Sequence, residues 1–196
     1  MPGPIHTAPE NSSQPVLGKT LPQMIYDACE AYQNPRALNQ PTGDGWTPMA
    51  LDEFRLRSER TALGLLDVGL QRGEKVAFLL QSDVNFCVSD MGCLLAGLID
   101  VPVYLSTAPH QMQYVINHAE AKALVVAGEE QLRVAEEILP DLPDVHTVII
   151  CEVDGDPPEA NLPDGVAFLT LDQVQERGSA STDDVDAAIA DLREQI

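Results

Sequence analysis

The sequence predicts an α/β fold, a mainly parallel sheet flanked by helices, and three observations carry that expectation. From Lys75 onward, short runs rich in Val, Ile, Leu and Ala alternate with segments of helical periodicity. Each helical segment is long enough for a crossover between parallel strands. The core is aliphatic: hydrophobic residues make up 44% of the 196, aromatic residues only 5%. Strand–helix alternation of this kind folds with helices on both faces of one sheet.

The elements follow in order. Residues 1–19 are rich in Pro, Ser, Gly and Asn and read as a flexible leader. Leu21, Met24, Ile25, Ala28 and Tyr32 keep helical spacing, with Thr20 as the N-cap. Gly43-Asp44-Gly45 marks a turn, and Trp46 opens a short extended piece that ends at Pro48. Leu51 to Val68 is a second helix, with Phe54, Ala62, Leu65 and Leu66 inside and Arg55, Arg57, Glu59 and Arg60 mostly outside. Gly69 supplies the left-handed residue after it. Then come a strand Lys75–Leu80, a helix Asp83–Leu98, a strand Asp100–Leu105 and a helix Pro109–Ala119. The alternation continues with strand Ala123–Ala127, helix Glu129–Leu139 and strand Thr147–Cys151. Residues 20–151 are thus one α/β unit. Residues 152–196 are an acidic, proline-bearing loop, a short strand near Val166–Leu171, a helix near Leu171–Arg177 and an acidic helix Asp183–Gln195.

Charge excludes some partners. Thirty-one acids face eleven bases, a net charge of −20. Such a surface offers neither phosphate neutralisation nor counterion release, so nucleic acid and anionic lipid are excluded. The acids are spread along the chain, and only Lys19, Lys75 and Lys122 are lysines. A whole-surface bias of this kind fits adaptation to salt, which screens self-repulsion. The apolar run Met91–Ile99 is too short to span a bilayer, and with no apolar leader the chain reads as cytoplasmic.

Several chemistries are also missing their residues. Gly18-Lys19-Thr20 ends like a phosphate-binding loop, but Ser13 stands where the first glycine belongs. Gly92 and Gly97 fall within and near the end of a helix, not in a strand-to-helix turn. Cys29, Cys87, Cys93 and Cys151 form no CxxC pair, and His6, His110, His118 and His146 have no ligand spacing beyond surface positions. No metal site and no catalytic constellation is expected.

Two segments carry a resemblance. Leu65-Leu66-Asp67-Val68-Gly69-Leu70, followed by Arg72-Gly73-Glu74-Lys75-Val76-Ala77-Phe78-Leu79-Leu80, resembles a turn into the first core strand of the adenylate-forming superfamily. Cys93 to Val103, containing Ala96-Gly97 and Val101-Pro102, is similar to that family's Ala-Gly…Val-Pro signature. Pro102-Val103-Tyr104-Leu105-Ser106-Thr107, the Gln111–Ile116 helix and Ala121-Lys122-Ala123-Leu124-Val125-Val126 resemble its long-chain fatty acid–CoA ligases more finely. Glu74, where the family has Asp, and Met49, where an aromatic residue is common, depart from the pattern.

The resemblance implies a fatty acid substrate, ATP, Mg2+ and CoA, and a two-step reaction through an acyl-adenylate to acyl-CoA, AMP and pyrophosphate. The groups that carry this chemistry in the family lie beyond the matching segments. The chain therefore reads as the N-terminal part of such a ligase, leading toward a phosphate loop, with no catalytic residue of its own and no cofactor bound alone. Arg133 is the one candidate contact for the CoA nucleotide. The truncation reading also implies an uncovered sheet face, and hence self-association. A rival of a different class is a stand-alone acidic interaction module.

Overall fold

A computed structural model describes residues 18–43, 45–153, 155–181 and 184–195. The leader expected over residues 1–17, with His6, lies outside the described residues, as does the start of the acidic helix at Asp183. The elements are α1 (Leu21–Ala31), β1 (Leu38–Thr42), β2 (Gly45–Met49), α2 (Leu51–Asp67), β3 (Lys75–Leu79) and α3 (Val84–Ala96). They continue as β4 (Ile99–Pro102), α4 (Pro109–Ala119), β5 (Ala123–Val126), α5 (Glu129–Ile138), β6 (Thr147–Ile150), β7 (Ala167–Thr170), α6 (Leu171–Ala180) and α7 (Val185–Glu194).

The sheet has the order β4-β3-β5-β6-β7, and every neighbouring pair in it is parallel. Its strands alternate between two apolar layers. Val76, Phe78, Ala123, Val125 and Ile149 pack with α2, α3, α6 and α7. Ala77, Leu79, Leu124, Val126, Val148 and Ile150 pack with α4 and α5. Both faces are therefore buried, as a parallel sheet requires. This corrects the expected uncovered face: helices cover each side of the sheet. Large hydrophobic side chains exposed among the described residues include Leu21, Tyr32, Trp46, Tyr104 and Tyr114.

Local signals hold where they rest on backbone chemistry. Thr20 caps α1 through a box with Gln23, its hydroxyl accepting from the Gln23 amide at 3.3 Å while its own amide donates to Gln23 Oε1 at 3.0 Å. Gly97 ends α3 with φ 71°, the left-handed cap the sequence asks of it.

Two features differ from expectation. β1 was not expected. Its Leu38-Asn39-Gln40-Pro41-Thr42 lacks alternation and holds a proline, which an edge strand of a two-stranded hairpin tolerates. Glu59 does not face solvent; it is 1% exposed. Its charge is carried inward because two guanidinium groups meet it there.

The layer over the first face is unusually close. A Cβ at Gly64 would lie 2.0 Å from the Val174 carbonyl oxygen, one at Gly178 would lie 2.1 Å from the Arg60 carbonyl oxygen, and one at Gly92 would lie 2.6 Å from Thr61 Cγ2. α2 thus touches α6 almost backbone to backbone, while on α3 Gly92 makes room for the Thr61 side chain of α2.

Candidate functional site

The strand order reverses between β3 and β5: from β3 the chain moves outward to β4, then returns to β5 on the other side. In doubly wound sheets the crevice outside the carboxyl ends at such a switch point is where ligands bind. A cleft of about 1210 Å³ lies there. Its floor is the start of α3 (Val84, Asn85), the start of α5 (Gly128, Glu129) and the residues after β6 (Cys151 to Val153). The β1–β2 hairpin forms one wall and α2 another, through Glu53 and Arg57.

The electrostatics of this cleft are specific. Among the described residues lining it, Arg57 is the one base, against Glu53, Glu129, Glu152 and Asp156. Helix N-termini normally attract phosphates, but here the chain's own groups occupy the start of α3. Asp83 accepts from the Phe86 amide at 2.8 Å, and Gln40, reaching over from the hairpin, accepts from the Val84 amide at 3.0 Å. At the start of α5, the Glu152 carboxylate packs beside Gly128, 3.6 Å from where a Cβ would stand. The start of α3 is thus capped from within the chain, while the N-cap of α5, Gly128, brings no side-chain cap of its own.

Two of the cysteines are poor nucleophiles. Burial pushes the Cys151 thiol up to about 12, with Asp83 adding to the shift. A thiol of that acidity stays protonated at neutral pH and is a weak nucleophile. Cys93 is fully buried and also pushed well up by burial. Among the described residues, no group of three or more His, Cys, Asp and Glu is placed to hold a metal ion.

Arg133 is exposed on the outer side of α5, one turn from its start, and pairs with Glu129 at 3.5 Å. Glu129 itself lines the cleft, so the pair stands at its rim. His110, His118 and His146 are exposed; His118 stacks on Tyr114 with ring centroids 5.7 Å apart.

Sequence reasoning missed one pair of acids. On the first face, Asp90 of α3 and Asp100 of β4 come together at the sheet's edge. Burial, then the neighbouring Asp100, raises the Asp90 carboxyl from 3.8 to about 6. The two residues are ten positions apart, one on a helix and one on a strand, and nothing in either segment marks them as partners.

The profile of the AMP-binding enzyme family matches residues 25–188. A long-chain-fatty-acid–CoA ligase of Rattus norvegicus is 28% identical over 178 residues, covering 91% of this chain and 24% of the relative. A second such ligase, from Drosophila melanogaster, is 30% identical over 145 residues, covering 72% of this chain and 21% of the relative. The chain therefore spans about a quarter of the length of the curated relatives it matches. Among solved structures, the A domain of a carboxylic acid reductase from Segniliparus rugosus superposes with a TM-score of 0.71 at 19% identity, covering 84% of this chain and 31% of that one. An anthranilate–CoA ligase in complex with anthranoyl-AMP gives a TM-score of 0.63 at 20% identity, covering 79% and 27%. At these identities the structural likeness shows a shared fold.

Proposed function

The chain belongs to the AMP-binding enzyme family, and from that premise we propose that it is the leading α/β unit of an ATP-dependent long-chain fatty acid–CoA ligase. In this reading the complete protein joins a fatty acid to CoA, with ATP and Mg2+, through an acyl-adenylate, and releases AMP and pyrophosphate. The observation that carries it is the run of similarity to long-chain ligases over 91% of the chain. The doubly wound sheet, shared with adenylation domains at a TM-score of 0.71, supports it independently.

The unit's part in the reaction is structural. The switch-point cleft is acidic and the start of α3 is capped from within the chain, which favours ATP phosphates binding to groups outside these residues. Arg133 is the proposed contact for the CoA nucleotide. Its pair with Glu129 is exposed and contributes about 0.5 kcal/mol, so a phosphate can displace the carboxylate at little expense.

The test is product formation by the complete gene product that carries this chain, given Mg-ATP, CoA and either palmitate or benzoate. Palmitoyl-CoA detected by mass spectrometry, in excess over benzoyl-CoA, is the expected result. Benzoyl-CoA alone would overturn the long-chain assignment, and no acyl-CoA from either acid would overturn the ligase reading. In the same assay Arg133→Ala should raise KM for CoA and leave KM for ATP unchanged. An unchanged KM for CoA removes Arg133 from the nucleotide's path.

A further inference from the structure

Among the described residues, Glu59 is the one fully buried acid of the first face, and it is shared. Arg55, one turn earlier on α2, donates to both of its carboxylate oxygens at 3.1 Å. From α7, 134 residues along the chain, Arg193 donates to Oε1 at 3.1 Å. The same Arg193 guanidinium lies over the ring of Tyr26 on α1, 3.9 Å from its centroid. One side chain of α7 thus reaches two other helices at once, by an ion pair to α2 and a cation–π contact to α1.

The two helices held this way have few other anchors. α1 buries only Pro22 fully and leaves Leu21 at 61% exposed. α7 has 10 residues and buries Ile189 and Leu192. Helices of this length are marginal by themselves, so they persist through their docking. A second contact fixes the far end of α7, where Arg72 donates to the Gln195 side chain at 3.2 Å and to its carbonyl at 3.1 Å. Arg72 lies over Gly97, where a Cβ would come within 2.6 Å of its guanidinium carbon. Between α2, α6 and α7 runs a groove of about 460 Å³, lined by Arg55, Leu56, Glu59, Val185 and Arg193.

We infer that Glu59 is the lock of a strap: α7 and α1 open and close over α2 as one local unit, and releasing this carboxylate frees both while the sheet stays folded. The geometry makes the coupling directional. Without the carboxylate, Arg193 (41% exposed) turns to water and leaves the Tyr26 ring, so α1 loses its contact through a change it does not itself carry. Opening then widens the groove beneath α7. Low-stability units at the edge of a rigid frame are the ones that move in native proteins. The strap is a property of these residues and stands whether or not the ligase reading does.

Hydrogen exchange of the 196-residue chain, followed by mass spectrometry, tests it. In Glu59→Gln, exchange over residues 21–31 and 185–194 should rise together by about tenfold or more, while residues 123–126 and 147–150 change by less than about twofold. Because Glu59→Gln leaves two guanidinium groups uncompensated, Arg193→Leu serves as the second variant; it leaves Arg55 to neutralise Glu59 and should give the same pattern. Tyr26→Leu removes the cation–π contact from both helices and should raise exchange most over residues 21–31 and less over 185–194, where the Glu59 pair still holds Arg193. Unchanged exchange in α1, or a rise shared equally by the sheet strands, would overturn the strap.

Discussion

The two faces of the sheet are packed by different rules. On the first, α2 meets α3 and α6 through Gly92, Gly64 and Gly178, and the helices bury Ser58, Glu59, Thr61, Ser89 and Gln175 between them. Gln175 donates to Thr61 Oγ1 at 3.1 Å across that layer. On the second, α4 and α5 meet the strands through Met112, Ile116, Leu132, Ala135 and Ile138, an aliphatic surface. Side chains of that kind shift to absorb a change in volume, whereas backbone in contact with backbone has nothing to shift. The helix under the tightest constraint, α2, is the one that supplies Arg57 to the cleft and Glu59 to the strap. Rigidity is placed where orientation matters.

The largest effect that would break this contrast is at the glycine crossings. Gly178→Ala puts a Cβ 2.1 Å from the Arg60 carbonyl oxygen and 2.6 Å from the Gly64 nitrogen. It should destabilise the chain by about 3 kcal/mol or more, because two backbones must separate. On the other face, Ile150→Val removes one methylene from a fully buried position and should lose only about 1 kcal/mol. Urea unfolding of both variants checks the pair; equal losses would mean the two faces pack alike.

A smaller effect comes from Asp90, also on the first face. Its carboxyl titrates at about 6 when folded and at 3.8 when free, so between those values the folded chain holds a proton that the unfolded chain has released. Stability from this group is therefore full at low pH, falls as pH rises through about 6, and is absent above. Asp90→Asn keeps a neutral group beside Asp100 at every pH. Relative to the parent chain, it should gain stability between pH 4 and 7, read from urea midpoints across that range. A difference that does not vary with pH would show that the Asp90 carboxyl is not raised in the folded chain.

The least specific effect acts on both faces alike. With a net charge of −20, repulsion reaches across the domain at 0.01 M salt, where the screening length is about 30 Å, and vanishes near 1 M, where it is about 3 Å. We propose that the acids suit the chain to salt, so melting temperature should climb as sodium chloride rises from 0.01 M to about 2 M. A flat or falling curve would mean that they are compensated by local pairs.

Much of the frame was legible in the sequence because it rests on local rules. Pro109–Ala119 is a helix with the bounds its periodicity predicts, and Thr20 and Gly97 cap as their side chains, or the lack of one, require. The strand order was not legible, since alternation predicts a parallel sheet but not which strand lies beside which. Glu59 was placed outside because a charged helix position is usually solvated; its partner Arg193 lies 134 residues away, beyond any local pattern. Gly92 stood out as a glycine within a helix, but the Thr61 methyl that demands it belongs to another helix. The cleft's acidity is likewise a product of convergence, with Glu53, Glu129 and Glu152 arriving from three segments.

We propose that this chain frames an adenylate-forming reaction without performing it. Pyrophosphate release by the 196-residue chain alone, with palmitate, CoA and Mg-ATP, tests that most directly, with the complete gene product measured alongside. The account expects release at the level of the enzyme-free blank from the chain and sustained turnover from the complete protein, because lowering a barrier of many kcal/mol needs charge-stabilising groups that the acidic cleft does not provide. Palmitate-dependent release by the chain alone would contradict it.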